Sequence, residues 1–182
     1  MAPIVVGATS VGGVASAAQT LWPGIYMVGV TVADCGAMAS AELVVFNPEG
    51  GFATGGGWIA PENDGLDAQM RCNFGFNVKY KNGSPAGHIT FRYTNDCLDL
   101  KSTSIEQLVI TGDHVAQFKG WACVNGEDGN WFSVKVVDSG EPGLGSDTVE
   151  INVWAPGADP ESDPAEWIGG ALGGGNISVH AR

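Results

Sequence analysis

Residues 1–33 contain no charged side chain, and positive charge is scarce everywhere: 8 Lys and Arg stand against 20 Asp and Glu, for a formal net charge of −12. Such a balance excludes the basic footprint of a nucleic-acid binder or a ligand of anionic lipid, because phosphates repel it. It favours cations, or self-association bridged by cations. Long apolar runs are missing as well. The opening MAPIVVGATSVGGVASAAQTLWPGIYMVGVTVA is broken by Gly, Ser, Thr, Gln and Pro before it reaches the ~20 apolar residues of a membrane helix, and it lacks the basic start of a signal peptide. The chain is therefore expected to have no membrane span and to be a mature secreted form or a piece cut from a longer one.

Catalytic signatures are absent too. No G-x-S-x-G, H-E-x-x-H or phosphate-cradling glycine loop occurs, and His88, His114 and His180 lie far apart, so the expectation is a protein that is not an enzyme. There is no C-x-x-C pair. Cys35, Cys72, Cys97 and Cys123 are separated by 37, 25 and 26 residues with no histidine at ligand spacing, which argues against zinc and for two disulfides in an oxidising compartment. Three pairings are possible. Hairpin arithmetic puts Cys72 with Cys97 and leaves Cys35 with Cys123; buried thiols in a cytosolic domain are the bland alternative.

What the chain does have is glycine, 28 in 182 residues, with frequent Val, Ile and Thr and no sustained helical period. This describes an all-β protein, an antiparallel sandwich or flattened barrel long enough to bury a core. GIYMVGVTVADCG alternates, with Tyr26, Val28, Val30 and Val32 on one face and Met27, Gly29 and Thr31 on the other, as in a strand buried mainly on one side. ASAELVVFNP follows as its partner. Two paired strands cannot stand alone in water, so this pair needs more strands from elsewhere.

From residue 50 onward the sequence reads as hairpins: CNFGFNVKYK, HITFRYTND, LDLKSTSIEQLVI, VAQFKGWACV and WFSVKVVD, with Asn82-Gly83 and Asn125-Gly126 in turns that demand positive φ. DTVEINVW is followed by APGADPESDPAEWIGG, expected to be the most exposed loop, and then by a last strand, NISVH. Two glycine-rich stretches, GGFATGGGWI (50–59) and ALGGGNISVH (171–180), bracket this part. Glycine is costly to order, so such runs beside Trp58 imply a seam where strands cross closely.

Three kinds of site are candidates. Asp138, Glu141 and Asp147 surround a Gly/Pro turn in VVDSGEPGLGSDTVE, within a 138–166 stretch holding eight carboxylates and no Lys or Arg. Oxygen ligands of that kind suit Ca2+, although a solvated acidic face has the same composition. Trp22, Trp58, Trp121, Trp131, Trp154 and Trp167 read mainly as core or seam plugs, Trp167 being the candidate for an exposed sugar-stacking platform. Asn176-Ile177-Ser178 is a glycosylation sequon.

WPGIYMVGVTVADCGAMASAELVVFNP (22–48) resembles the last two strands of a PKD-type immunoglobulin-like domain, whose ending runs G-x-Y-x-V-x-x-x-V-x-D into a second strand. The remainder, from TGGGWI through KSTSIEQLVITG and AQFKGWACVNG to LGGGNISVH, resembles the secreted bacterial post-COAP domains, which often follow PKD repeats in large surface proteins. That resemblance implies an extracellular β-domain whose glycine bookends are adjacent first and last strands; it implies no activity. The expected organisation is an apolar arm (1–21), an incomplete immunoglobulin-like strand pair (22–48) and a post-COAP-like β-domain (49–182). The function expected is that of a structural subunit of an extracellular filament or surface layer. The arm, through Ile4, Val6, Val11 and Val14, would complete the sheet of a neighbouring copy. The alternative is a monomeric secreted module binding polysaccharide or protein, with or without calcium.

Overall fold

A computed structural model describes residues 18–31, 36–47, 50–60, 71–93, 98–112 and 114–181. The described residues form ten strands and no helix: β1 (Gly24–Thr31), β2 (Met38–Val45), β3 (Phe52–Ile59), β4 (Cys72–Lys81), β5 (Ser84–Tyr93), β6 (Asp99–Thr111), β7 (Val115–Val124), β8 (Glu127–Val137), β9 (Thr148–Trp154) and β10 (Glu166–His180). β3 to β10 run up and down in chain order and close into a barrel, β10 pairing with both β9 and β3; β1 and β2 make a separate antiparallel hairpin. Closure removes the sheet edges that an open meander would expose.

Alternation decides which face is inside. Phe74, Phe76 and Val78 of β4, Ile89 and Phe91 of β5, Phe118 of β7, Phe132 and Val134 of β8, and Val149 and Ile151 of β9 are all buried in one cluster. Phe76 meets Phe118 with ring centroids 5.4 Å apart, and Phe118 meets Phe132 edge-on at 6.4 Å, so side chains fill the interior. Each such ring contributes about 1.5–3 kcal/mol by leaving water. Lys79, Arg92, Lys101 and Lys135 point outward and are exposed. Apolar inside and polar outside is the reverse of a barrel that faces lipid.

The glycine stretches meet as expected. Trp58 is paired with Gly174, and Gly57 with Gly175, in the β3–β10 ladder. A Cβ on Gly173 would fall 2.1 Å from the Trp58 ring, and one on Gly57 would fall 2.2 Å from the Gly174 carbonyl oxygen. Arg71 covers the indole from outside, 4.1 Å from its centroid. Both Asn-Gly turns have positive φ, 53° and 51° at Asn82 and Asn125.

Two differences from expectation stand out. The last strand starts at Glu166 rather than within NISVH, so Trp167 and Ile168 belong to β10 and not to the loop. Glycines give no alternation to read, yet Gly169 and Gly170 pair with β9 together with Glu166–Ile168 and Ala171. The other difference lies in β1, expected to be buried on one face: Met27 is 65% exposed and Val30 59%, so apolar side chains reach solvent on both faces.

The seam with the fewest paired residues is β5–β6. Only Thr90–Lys101, Phe91–Leu100 and Arg92–Asp99 are paired, with Arg92 Nη2 2.9 Å from Asp99 Oδ2. That guanidinium, through its hydrogen bond first, holds the Asp99 carboxyl below its ordinary value. Farther along the gap the Tyr80 hydroxyl donates to the Leu108 carbonyl, while Phe46, just past β2, stacks on the Tyr80 ring at 5.7 Å.

Candidate functional site

Among the described residues, the hairpin leaves a cluster of large apolar side chains exposed, Met27, Val28, Val30, Met38 and Leu43. One of its faces carries Tyr26, Val28, Val30, Ala39, Ala41 and Leu43, brought side by side by the register Tyr26–Leu43, Val28–Ala41 and Val30–Ala39. Every one of these is apolar apart from the Tyr26 hydroxyl, which donates to the Trp22 carbonyl at 2.8 Å. Val28, Val30 and Leu43 are nevertheless exposed. On the opposite face Glu42 accepts a hydrogen bond from Lys119 of β7 at 2.6 Å, both groups being largely screened from solvent. β1 also packs on β6, where the outward-pointing Val109 is buried outside the main core. This seat is imperfect: Gln107 Oε1, in register with Lys119, is buried without a hydrogen-bond partner, a deficit of about 1–3 kcal/mol. Among the described residues neither outer edge of the hairpin is paired.

The structure brings Asp138, Glu141 and Asp147 together in the β8–β9 loop, but it gives their oxygens to the backbone. β10 outruns β9, which pairs only with Glu166–Ala171, so the following amides of β10 lack a strand on that side. Asp147 is fully buried; its Oδ2 accepts the Ile177 N–H at 2.9 Å and its Oδ1 the Ser139 N–H at 2.9 Å. Asp138 Oδ2 accepts the Val179 N–H at 3.0 Å, and the Asp147 carbonyl accepts that of Leu172 at 2.9 Å. The two carboxylates stand in for the carbonyls of a missing strand and blunt the edge. Asn176 completes the clasp: its Oδ1 accepts from the Gly143 N–H and its Nδ2 donates to Glu141 Oε1, both at 2.8 Å. Both ends of the sequon amide are thus occupied. No group of three or more His, Cys, Asp or Glu side chains among the described residues is arranged to hold a metal ion.

Ile4, Val6, Val11 and Val14 lie outside the described residues, as do Cys35 and Cys97, so neither proposed cysteine pair falls wholly within them. No disulfide joins described residues. Cys72 is buried at the start of β4, in register with Tyr93. As a thiol, Cys123 is held above its ordinary pKa by burial first and then by the hydrogen bond and charge of Asp128, which disfavours the thiolate.

The tryptophans divide. Trp58 plugs the glycine seam, and Trp154 is buried with its Nε1 donating to the Ser162 carbonyl at 2.9 Å. Trp22, Trp121 and Trp167 are exposed, and Trp121 meets half-buried Trp131 edge-on at 4.8 Å. Sequence reasoning missed the Glu42–Lys119 anchor and the role of Asn176. The first had a signal: Glu42 is the only charged residue in MASAELVV, where an isolated carboxylate among apolar residues asks for a cation.

The molecule is thus a closed up-and-down β-barrel with a filled interior, a clasped edge and an appended hairpin whose outer edges are unpaired among the described residues. In comparisons with known proteins no family model, no curated protein and no solved structure matches the chain.

Proposed function

We propose that this chain is a structural subunit of an extracellular filament or surface layer, and that copies join when the N-terminal arm of one completes the β1–β2 sheet of the next. The observation that carries this reading is the hairpin: two strands, an apolar face open to solvent, and no further strand among the described residues. An isolated hairpin is marginal in water, and an unpaired edge is a template for another chain. The arm has suitable chemistry, with Ile4, Val6, Val11 and Val14 spaced by small residues and no charge to desolvate. On this reading β1 and β2 are the end of a PKD-type immunoglobulin-like sheet, and the barrel is the post-COAP-like unit that follows it. Head-to-tail donation does not close, so it propagates. Assembly outside the cell also gives the four cysteines an oxidising compartment, with Cys72–Cys97 and Cys35–Cys123 as the bridges.

Light scattering and negative-stain microscopy test this on the intact chain and on a form lacking residues 2–20. The intact chain polymerises and the shortened form does not. Polymers from the shortened form, or an arm folded onto its own hairpin, would return the molecule to a monomeric binding module.

A further inference from the structure

The filled barrel leaves its ligand chemistry to the outer surface, and one outer face differs from the rest. In the ladders of β6 to β9, Ser104, Trp121, Trp131 and Trp154 lie in one cross-strand row. The neighbouring row holds Lys119, Ser133, Asn152 and Trp167 on β7 to β10. Trp121 is 42% exposed and Trp167 44%. The Trp167 ring reaches over Gly169, where a Cβ would come within 3.3 Å of its Cζ2. Trp121 is fixed on one side by Trp131, whose ring is inclined at 71° to it.

On the strands between the two indoles, the Trp121 row carries Trp131 and Trp154 and the Trp167 row carries the hydrogen-bonding groups Ser133 and Asn152. Asn152 Nδ2 lies 3.4 Å from Ser133 Oγ and 3.3 Å from Glu150 Oε1, both at the long end of hydrogen bonding. Such weakly held amide and hydroxyl groups are free to exchange partners with a ligand. Trp121 and Trp167 stand three strand spacings, about 14 Å, apart across the curved barrel wall and are offset by one row along the strands. That distance suits a chain of sugars and exceeds a single one.

We propose that the outer face of β7–β10 is a glycan-binding strip, with Trp121 and Trp167 as the stacking platforms and Ser133 and Asn152 as the hydrogen-bonding groups between them. The ligand class is a neutral polysaccharide of equatorially substituted pyranoses, whose flat C–H faces match an indole. A net charge of −12 selects against uronate-rich or sulfated chains. The strip uses no residue of the arm, and it adjoins the hairpin at Lys119, which Glu42 holds at 2.6 Å beside Ser133.

Native gel electrophoresis through hydroxyethyl cellulose, arabinoxylan or polygalacturonate, with tryptophan fluorescence titration in parallel, tests the strip. The full chain is retarded by a neutral polymer and not by polygalacturonate. Trp121→Ala and Trp167→Ala each weaken retention about tenfold with an unchanged melting temperature, whereas Trp22→Ala, on exposed indole away from the strip, does not. Should an alanine variant melt early, Asn152→Ala and Ser133→Ala together supply the same comparison. No retardation of the full chain by either neutral polymer, or retention that survives loss of both indoles, overturns the proposal.

Discussion

Replacing Asp147 by alanine removes two backbone acceptors at once. The Ile177 N–H is buried and has no water to turn to, so orphaning it costs about 1–3 kcal/mol, while the Ser139 N–H is only part-buried and rehydrates at about 1 kcal/mol. The expected loss is therefore about 2–4 kcal/mol, a large share of the 5–15 kcal/mol typical of a domain. Asp147→Asn keeps one carbonyl oxygen but turns an N–H donor toward the second amide, and should cost about half as much. Asp159 supplies the charge control, since its carboxylate accepts only an exposed bond from Glu161 N–H; Asp159→Ala should stay within about 0.5 kcal/mol of the parent. Urea unfolding followed by tryptophan fluorescence reads all three, and in a chain of this size the alanine variant should melt roughly 4–16 °C lower. Calcium and chelator leave every curve in place. An alanine variant as stable as the parent, or a calcium-dependent stabilisation lost with Asp147, would refute the clasp and restore a metal-binding loop.

Gly57→Ala should destabilise by about 1–3 kcal/mol or more, because its Cβ would strike the Gly174 carbonyl oxygen at 2.2 Å, whereas Gly75→Ala, whose nearest neighbour is 3.9 Å away, should be neutral or gain up to about 1 kcal/mol; urea midpoints distinguish the two. Burial pushes the Tyr80 phenol up to about 12, above its ordinary value near 10. The stability it contributes is therefore complete below pH 10 and is lost as pH rises through about 12, so the roughly 1 kcal/mol advantage over Tyr80→Phe should shrink across that window in melting experiments. If the protein works outside the cell, mass spectrometry after alkylation of the native, unreduced protein should find no reactive thiol, and reduction should lower its melting temperature; four alkylated cysteines would count against that compartment. Lys119→Ala should loosen the hairpin from the barrel and raise proteolysis within β1 and β2 without changing the cooperative unfolding of the barrel, and equal resistance to protease would show that the ion pair does not anchor it.

How far the sequence could be read depended on whether side chains carried the information. Strands β4 and β7 were legible to the residue, since CNFGFNVKYK and VAQFKGWACV alternate buried positions with more open ones and end in Asn-Gly turns. β10 was legible only in its second half: Gly169, Gly170 and Gly173–Gly175 supply backbone hydrogen bonds and room for Trp58, neither of which leaves a periodic trace. The acidic turn shows a different limit. Composition placed Asp138, Glu141 and Asp147 in one loop, and the loop does gather them, yet what their oxygens bind follows from β10 being longer than β9, a comparison of strand lengths available only after folding. The same carboxylates that would ligate a cation in an open turn become strand substitutes once an unpaired edge lies beside them. The hairpin inverts that lesson. Its alternation was evident and its pairing correct, but a burial pattern reports what a strand is made to bury, and here Val28, Val30 and Leu43 remain exposed. The disagreement between a pattern built for burial and a face left in water is the observation on which the proposed strand donation stands or falls.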